Sequence, residues 1–520
     1  MELLPLKPKS SQRKCPLRLK GGPLSKGAVF LATLVVASSL NSGCAGGGVA
    51  RDLGGVLSAR WTIKAENTKL GTTAWQITNP ATNREIEGFA SLTSVNRGED
   101  ISIFVNTAEP TYMMEIFRLG WYSGMGGRAV APPIIRTGTR QPMPLPDAET
   151  RLVECRWDDP YVLHIPNSSD PTEWASGIYL VKLTGGSSGK QRYVIFVVRD
   201  DERSSDLLFQ SSVTTYEAYN DWGDWSLYTK PRAYKVSFNR PFVSEEGAGH
   251  LLLWECNMVR FLEREGYDVT YSSDVDTHVR GQLLLQHKAF LSVGHDEYWS
   301  WQMRDNVERA RDNGVSLGFF GANTAYWQIR LEPSPATGDP DRTIVCYKSA
   351  SLDPVGRFRW VNFLTTTQFR KPPVNRPEDA LIGVMYESWF PFDRREDIVI
   401  EDGSSWVFEN TGLKAGDHLT GLLGYEADRT YDHAPRSTRR IAHSPYHDMA
   451  GRLLYSDMTS YVTPAGSTVV ATGSMDWNWG LDDFAWGHPV LTNPEAQQAT
   501  RNILKRFGAT DPASIPPPAN

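Results

Sequence analysis

Cysteine is scarce in this chain: five in 520 residues, of which only Cys155, Cys256 and Cys346 lie beyond the first 44 positions. No CxxC pair or regular spacing links them, which argues against a cysteine-based zinc site and leaves at most one disulfide, whose pairing the sequence does not name. Long apolar runs are also missing. The longest, "AVFLATLVVASSL" (28–40), is too short to span a bilayer comfortably. There is no excess of positive charge: the formal net charge is −6, which argues against general nucleic-acid affinity. Nucleotide and nucleophile signatures are absent too. No Walker loop and no GxGxxG occurs, no G-x-S-x-G elbow offers a serine, and no cysteine follows a strand in a turn suited to an amidotransferase nucleophile. "GMGGR" (124–128) reads only as a hairpin-like turn.

What is present begins with a basic segment, Lys7 to Lys26, followed by the apolar run and "NSGCAGGG". This is the order of a secretory signal peptide, and residues 1–44 are set aside from the fold. Cys44 after Ser42-Gly43 suggests a bacterial lipoprotein site, although Asn41 stands where an aliphatic residue is usual. The expected location is therefore exported: periplasmic, extracellular or lipid-anchored through Cys44. The remainder, 40% hydrophobic and 22% charged, has the composition of a soluble globular protein long enough for two domains.

From about 59 to 200, short segments rich in β-branched and aromatic residues ("ISIFVNTA", "YMMEIFRLGWY", "GIYLVKLTG", "QRYVIFVVRD") alternate with Gly/Pro/Ser turns. That pattern predicts an all-β, immunoglobulin-like sandwich domain. "DDERSSD" (200–206) reads as the joint. From 205 to 508 strand-like runs ("LLFQSSV", "DVTYSS", "KAFLSV", "VSLGFFGAN", "STVVATG") alternate with amphipathic helical stretches. These include "SWQMRDNVERARDNG", closed by Gly314, and "NPEAQQATRNILKRFG", closed by Gly508. Alternation predicts an α/β layer on a largely parallel sheet. Residues 509–520, "TDPASIPPPAN" at their end, read as a disordered tail.

In open α/β sheets, ligands bind beyond the carboxyl ends of the strands. The residues there are Tyr216, Tyr219, Asn220 and Trp222; His295, Asp296 and Glu297; Asn323; and Ser474 and Asp476. Those suited to a site are oxygen donors plus one imidazole, and phenolate and carboxylate suit a hard Lewis acid such as ferric iron. The alternative for "HDEYWSWQMRDNVERA" is a plain helix start, with Asp296 or Ser300 near the cap and Glu297 favoured by the helix dipole.

Six ordered segments carry a resemblance: "TTYEAYNDWGDWSLY…PRAYKVSFNRP", "WECNMVRFLEREGYDVTYSSDVD", "GHDEYWS", "GANTAYWQIR", "VCYKS" and "GLLGYEAD". Together they resemble the large (beta) subunit family of N,N-dimethylformamidase, from about Trp174 to Gly480. The resemblance implies a class I amidotransferase-like, flavodoxin-like layer without the cysteine, and a mononuclear iron, Fe3+, held by two tyrosines and a glutamate. Glu297 matches the carboxylate ligand, Tyr216 one phenolate and Tyr179 the other; Tyr219 replaces Tyr179 if Tyr179 is a packing residue. Glu426 matches the water-activating residue, His295 a proton-handling one, Asn323 a group that orients a carbonyl or ligand, and Lys348 a source of charge. The implied activity is hydrolysis of the C–N bond of a small amide. A homo-oligomer is compatible with the sequence, and no small partner subunit is evident in it. A rival reading keeps the scaffold but makes it an exported glycan- or partner-binding protein without a catalytic metal, its tryptophans in "DWGDWSLY" and "SMDWNWGLDDFAW" lining a sugar cleft.

Overall fold

The computed structural model describes residues 62–514. The segment expected to be a leader and Cys44 lie outside the described residues, as does the chain after 514. The tail is docked as far as it is described: Thr510 N–H donates to Asp206, and Pro512–Ser514 makes a short turn.

The fold is mostly β, with several sheets and few helices. In the N-terminal part, Ile86–Ala90, Asp100–Thr107 and Tyr161–His164 form a three-stranded sheet. It packs against a larger sheet in which Gly177–Gly185 lies between Thr111–Leu119 and Gln191–Arg199. Asp100–Thr107 alternates exposed or half-buried with buried positions, as a strand with one face to a core must. Gly177–Gly185 is buried almost throughout. One of its faces (Tyr179, Val181, Leu183) closes the sandwich core with Ile103, Met114 and Phe196. The other (Ile178, Leu180) joins the core of the C-terminal part with Phe209, Leu262 and Leu291.

The C-terminal part is organised by a seven-stranded sheet. In chain order its strands are β1 (Leu207–Ser211), β2 (Val269–Ser273), β3 (Ala289–His295), β4 (Ser316–Ala322), β5 (Arg439–His447), β6 (Leu453–Val462) and β7 (Thr468–Ala471). Their spatial order is β2-β1-β3-β4-β7-β6-β5. β2, β1, β3, β4 and β7 are parallel, whereas β5 and β6 add an antiparallel edge. β1, β3 and β4 are buried along their whole length, which explains their continuous apolar runs. Helix Cys256–Glu265 ends where Gly266 adopts the left-handed conformation, helix Trp301–Asp312 is followed by left-handed Gly314, and Pro494–Arg506 starts on an Asn493 cap.

Helices are sparser than the sequence pattern suggests. After β4 the chain leaves the sheet and builds small β pairs, Met385–Trp389 with Glu426–Arg429 and Arg395–Val399 with His418–Gly424. This excursion carries Glu426 back over the end of β4. Among the described residues the three cysteines are buried free thiols, and the one disulfide that the sequence left open is not formed between them. Cys155 is walled in by Phe89, Trp157 and Trp222, while Cys346 lies in the main core.

A buried ion pair ties the two parts together. Arg118, on the sandwich strand, places Nη2 2.6 Å and Nη1 2.9 Å from the two carboxylate oxygens of Glu263 on the helix, and neither side chain is exposed. Tyr271 and Asn67 also donate to Glu263, so the carboxylate is fully hydrogen-bonded.

Candidate active site

β3 ends in Gly294-His295. Gly294 has φ +68, and a Cβ there would stand 2.7 Å from Trp254 Cβ. In the β3–β4 register it faces Gly321, where a Cβ would press to 2.0 Å on the Gly294 carbonyl. Only glycines allow this close approach, and it turns His295 off the strand end into the crevice. The helix begins only at Trp301, with the Ser300 hydroxyl accepting from Met303 N–H. Of the two capping candidates, Ser300 is therefore the cap. Asp296 is not: its carboxylate is buried and accepts from Gln210, Ser292 and Trp299.

Glu297 sits at the centre of a phenol cluster. Its Oε2 accepts from Tyr219 Oη at 2.8 Å, and Tyr228 Oη donates across both oxygens at 3.0 Å. Tyr298 Oη donates in turn to Tyr228 Oη at 2.6 Å. The Tyr219 and Tyr228 rings stack with centroids 4.2 Å apart. Thr215 Oγ1 accepts from Glu297 N–H at 2.9 Å and fixes the backbone. The Lys348 ammonium lies 3.4 Å above the Tyr228 ring.

His295 Nε2 stands 3.3 Å from Glu297 and 3.2 Å from Glu426, a charge contact with both carboxylates and an aligned hydrogen bond with neither. Asn323 Nδ2 donates to both Glu426 oxygens at 3.1 Å. Its own backbone N–H donates to Asp428, and its Oδ1 is buried without a partner among the described residues. Asn323, Lys348 and Tyr425, the residue before Glu426, all have φ between +54 and +56. Three left-handed non-glycine residues around one crevice are strained positions held by their surroundings.

The electrostatics follow from burial. Desolvation lowers the His295 pKa, but Glu426 and Glu297 outweigh it and hold the imidazole up at about 10. Glu426 is pushed above the ordinary carboxylate range by burial, against the His295 charge. Burial also raises Glu297, but His295 and Lys348 bring it below its usual value. Tyr219 and Tyr228 are driven well above 10 by burial and the Glu297 charge, so in the protein alone they are neutral donors. Lys348 is brought down to about 8 by burial.

Two expected metal ligands are misplaced. Tyr179 does not reach the crevice: its ring is sandwiched between Trp174 and Phe196, and its hydroxyl donates to the Ala175 carbonyl at 2.7 Å. Tyr216 lies near the crevice but its hydroxyl turns to Ser211 at 3.3 Å, with Glu255 beside it, and does not reach Glu297. The phenols that meet Glu297 are Tyr219, one turn further along helix Val213–Tyr219, and Tyr228, in the loop beyond. Tyr228 escaped the sequence reading because a loop tyrosine carries no periodicity; the density of tyrosines in "YEAYNDWGDWSLY" was the available signal. The donor set Tyr219, Tyr228 and Glu297 fits a hard trivalent cation. Three oxygens converge, and the two phenol protons now shared with the carboxylate are those a bound metal would displace. Of the tryptophans proposed for a sugar cleft, Trp222, Trp477 and Trp479 are buried in cores, while Trp225 and Trp486 are partly buried against the main core.

Comparison with known proteins assigns the chain to a family. The sequence model of the family described as N,N-dimethylformamidase beta subunit-like, C-terminal, matches residues 113–493. An N,N-dimethylformamidase beta subunit from Alcaligenes sp is 24% identical over 347 residues, covering 58% of this chain and 42% of that protein. The chain thus spans less than half the length of that curated relative. With the family's model matched over well more than half of its length, the chain belongs to the N,N-dimethylformamidase beta subunit-like family.

Proposed function

We propose that this chain is a metal-dependent hydrolase that cleaves the C–N bond of a small amide. The observation that carries the reading is the meeting of two phenols and an imidazole on Glu297, with Glu426 3.2 Å from the same imidazole. Tyr219, Tyr228 and Glu297 would hold a ferric ion, which supplies Lewis-acid polarisation of the amide carbonyl when bound. The chain's own residues then handle the protons. Asn323 Nδ2 orients the Glu426 carboxylate, whose raised basicity suits it to take a proton from water as the water oxygen attacks the acyl carbon. Asn323 Oδ1, unpartnered, accepts from the substrate N–H or the attacking water. His295, protonated between two carboxylates, gives its proton to the departing amine nitrogen as the C–N bond breaks. Glu426 returns its proton to His295 across 3.2 Å, and the site is reset.

The order β2-β1-β3-β4-β7 of the parallel strands supports reading this sheet as the flavodoxin-like, class I amidotransferase-like layer that the family resemblance implies. The basic and apolar leader supports export, and the relative's printed name, beta subunit, supports action within an assembly. The test is purified mature protein: metal analysis, a visible tyrosinate-to-iron charge-transfer band, and amine release from a panel of small amides. Folded protein that is colourless, binds no iron when offered it and releases no amine would overturn the reading.

A further inference from the structure

Beside the site, on the outer side of Tyr228, lies a cleft of about 390 Å³ lined by Tyr228, Lys230, Arg232 and Lys348 together with Leu227, Thr229 and Pro231. Tyr228 is shared by cleft and centre: the residue is partly exposed and lines the cleft, while its hydroxyl donates to Glu297. Lys348 covers the same ring. A substrate reaching Glu297 from this side therefore passes three cations.

None of the three cations has a carboxylate within ion-pair distance among the described residues, and no acidic residue lines the cleft. Arg232 spends one nitrogen on the Tyr347 carbonyl at 2.6 Å, while its Nε is buried without a partner among the described residues. Arg151 donates to the Arg232 carbonyl and brings a fourth cation behind the first three. Elsewhere most buried arginines are paired, as Arg118, Arg240 and Arg304 are with Glu263, Glu217 and Glu308. In a chain of net charge −6, a cleft that collects unpaired cations is a local reversal of sign. Such a field concentrates and orients anions.

Resting on the amide-hydrolase reading, we propose that the natural substrate is a small amide bearing a carboxylate, of the N-formyl or N-acyl amino acid type. Its anionic end is held by Arg232 and Lys230 while its acyl group reaches the crevice behind Tyr228. The carboxylate is a spectator: water oxygen bonds to the acyl carbon, the C–N bond breaks, and the nitrogen takes the proton.

The test compares N-formylglycine, its neutral methyl ester and N,N-dimethylformamide by release of formate, with binding of N-formylglycine followed by calorimetry. Arg232→Gln and Lys230→Ala are the variants, with circular dichroism and urea midpoints as checks on folding. The expected result is a kcat/KM for N-formylglycine about tenfold or more above that for the ester, the scale of one hydrogen bond to a charged group. That ratio should fall toward one in Arg232→Gln and shrink with added salt. Equal rates on acid and ester, or a ratio that survives both substitutions in folded protein, would overturn the proposal. No formate from any substrate, but binding of N-formylglycine that the substitutions abolish, would overturn the hydrolase reading and leave the anion cleft standing. Neither turnover nor binding would overturn both.

Discussion

Replacing Glu426 by glutamine separates the proposed chemistry from the architecture. The carboxylate is buried, accepts both bonds from Asn323 at 3.1 Å and lies 3.2 Å from His295 Nε2. Glutamine keeps the shape and one acceptor oxygen for Asn323 but takes no proton from water. General-base help is worth about 10²–10⁴ in rate, so kcat should fall by that factor, about 3–5.5 kcal/mol at 1.36 kcal/mol per decade. KM should move little, because Glu426 is not among the cleft cations. Stability should move the other way. Burial raises this carboxyl's pKa, so its folded-state contribution weakens as pH climbs through the raised value. The neutral amide escapes that loss, and the urea midpoint at pH 8 should match or exceed that of the parent. Steady-state kinetics beside urea titration reads both at once. A glutamine variant retaining activity within tenfold of the parent would refute the role of Glu426 as base.

Other perturbations test the metal ligands and the frame. Tyr219→Phe and Tyr228→Phe should each lower bound iron and weaken the charge-transfer band, whereas Tyr179→Phe, whose ring lies in the sandwich core, should leave the spectrum unchanged; the reverse pattern would restore the sequence-based assignment. Arg118→Met strands Glu263 in the interior and should cost about 3–5 kcal/mol in urea unfolding, much of it recovered in Arg118→Met/Glu263→Leu. Asn323→Ala and Asn323→Gly should lose activity alike, since both lack the amide. The glycine variant should be the more stable by about 1–2 kcal/mol, the cost of a Cβ in the left-handed region, because Asn323 has φ +56. Burial raises Glu66, but Arg118 and Arg128 outweigh it and set its pKa below the ordinary 4.5. Its contribution is therefore present above that value and lost as pH falls through the lower folded one. Urea midpoints should drop between pH 5 and 3, and drop less in Glu66→Gln.

The sequence was most informative where chain direction and burial act together. Continuous apolar runs marked β1, β3 and β4, and the rule that sites form at strand ends pointed to His295, Glu297 and Asn323, which the structure gathers. It was least informative where a side chain's direction decides. "GIYLVKLTG" is buried on both faces, so nothing in its pattern shows that Tyr179 turns inward to stack on Trp174 rather than outward to the other part. Tyr216 and Tyr219 are three residues apart on one short helix, and sequence alone does not say which reaches Glu297. The long excursion between β4 and β5 has no regular period either. Its return of Glu426 to the crevice is set by pairing with Met385–Trp389, a contact far apart in sequence.

The crevice is also where this protein gives up local stability. Among the described residues, His295 Nε2 and Asn323 Oδ1 are buried without aligned partners, and so is Nδ1 of His250, whose ring lies parallel to that of His295 at 6.4 Å. Asn323, Lys348 and Tyr425 hold left-handed backbones there, each at a cost of about 1–3 kcal/mol. A fold shaped by stability alone would have relieved these positions with glycine or paired them, as it has paired Arg118 with Glu263. Their concentration around one carboxylate–imidazole–carboxylate line means that the surrounding sheets overdetermine the geometry. Oriented but unsatisfied groups of this kind lose little further reorganisation energy when a polar reactant arrives to complete them. The same property explains why the anion-collecting cleft stops at Tyr228: charge is recruited at the mouth, while the interior keeps its few polar atoms for the reacting bond.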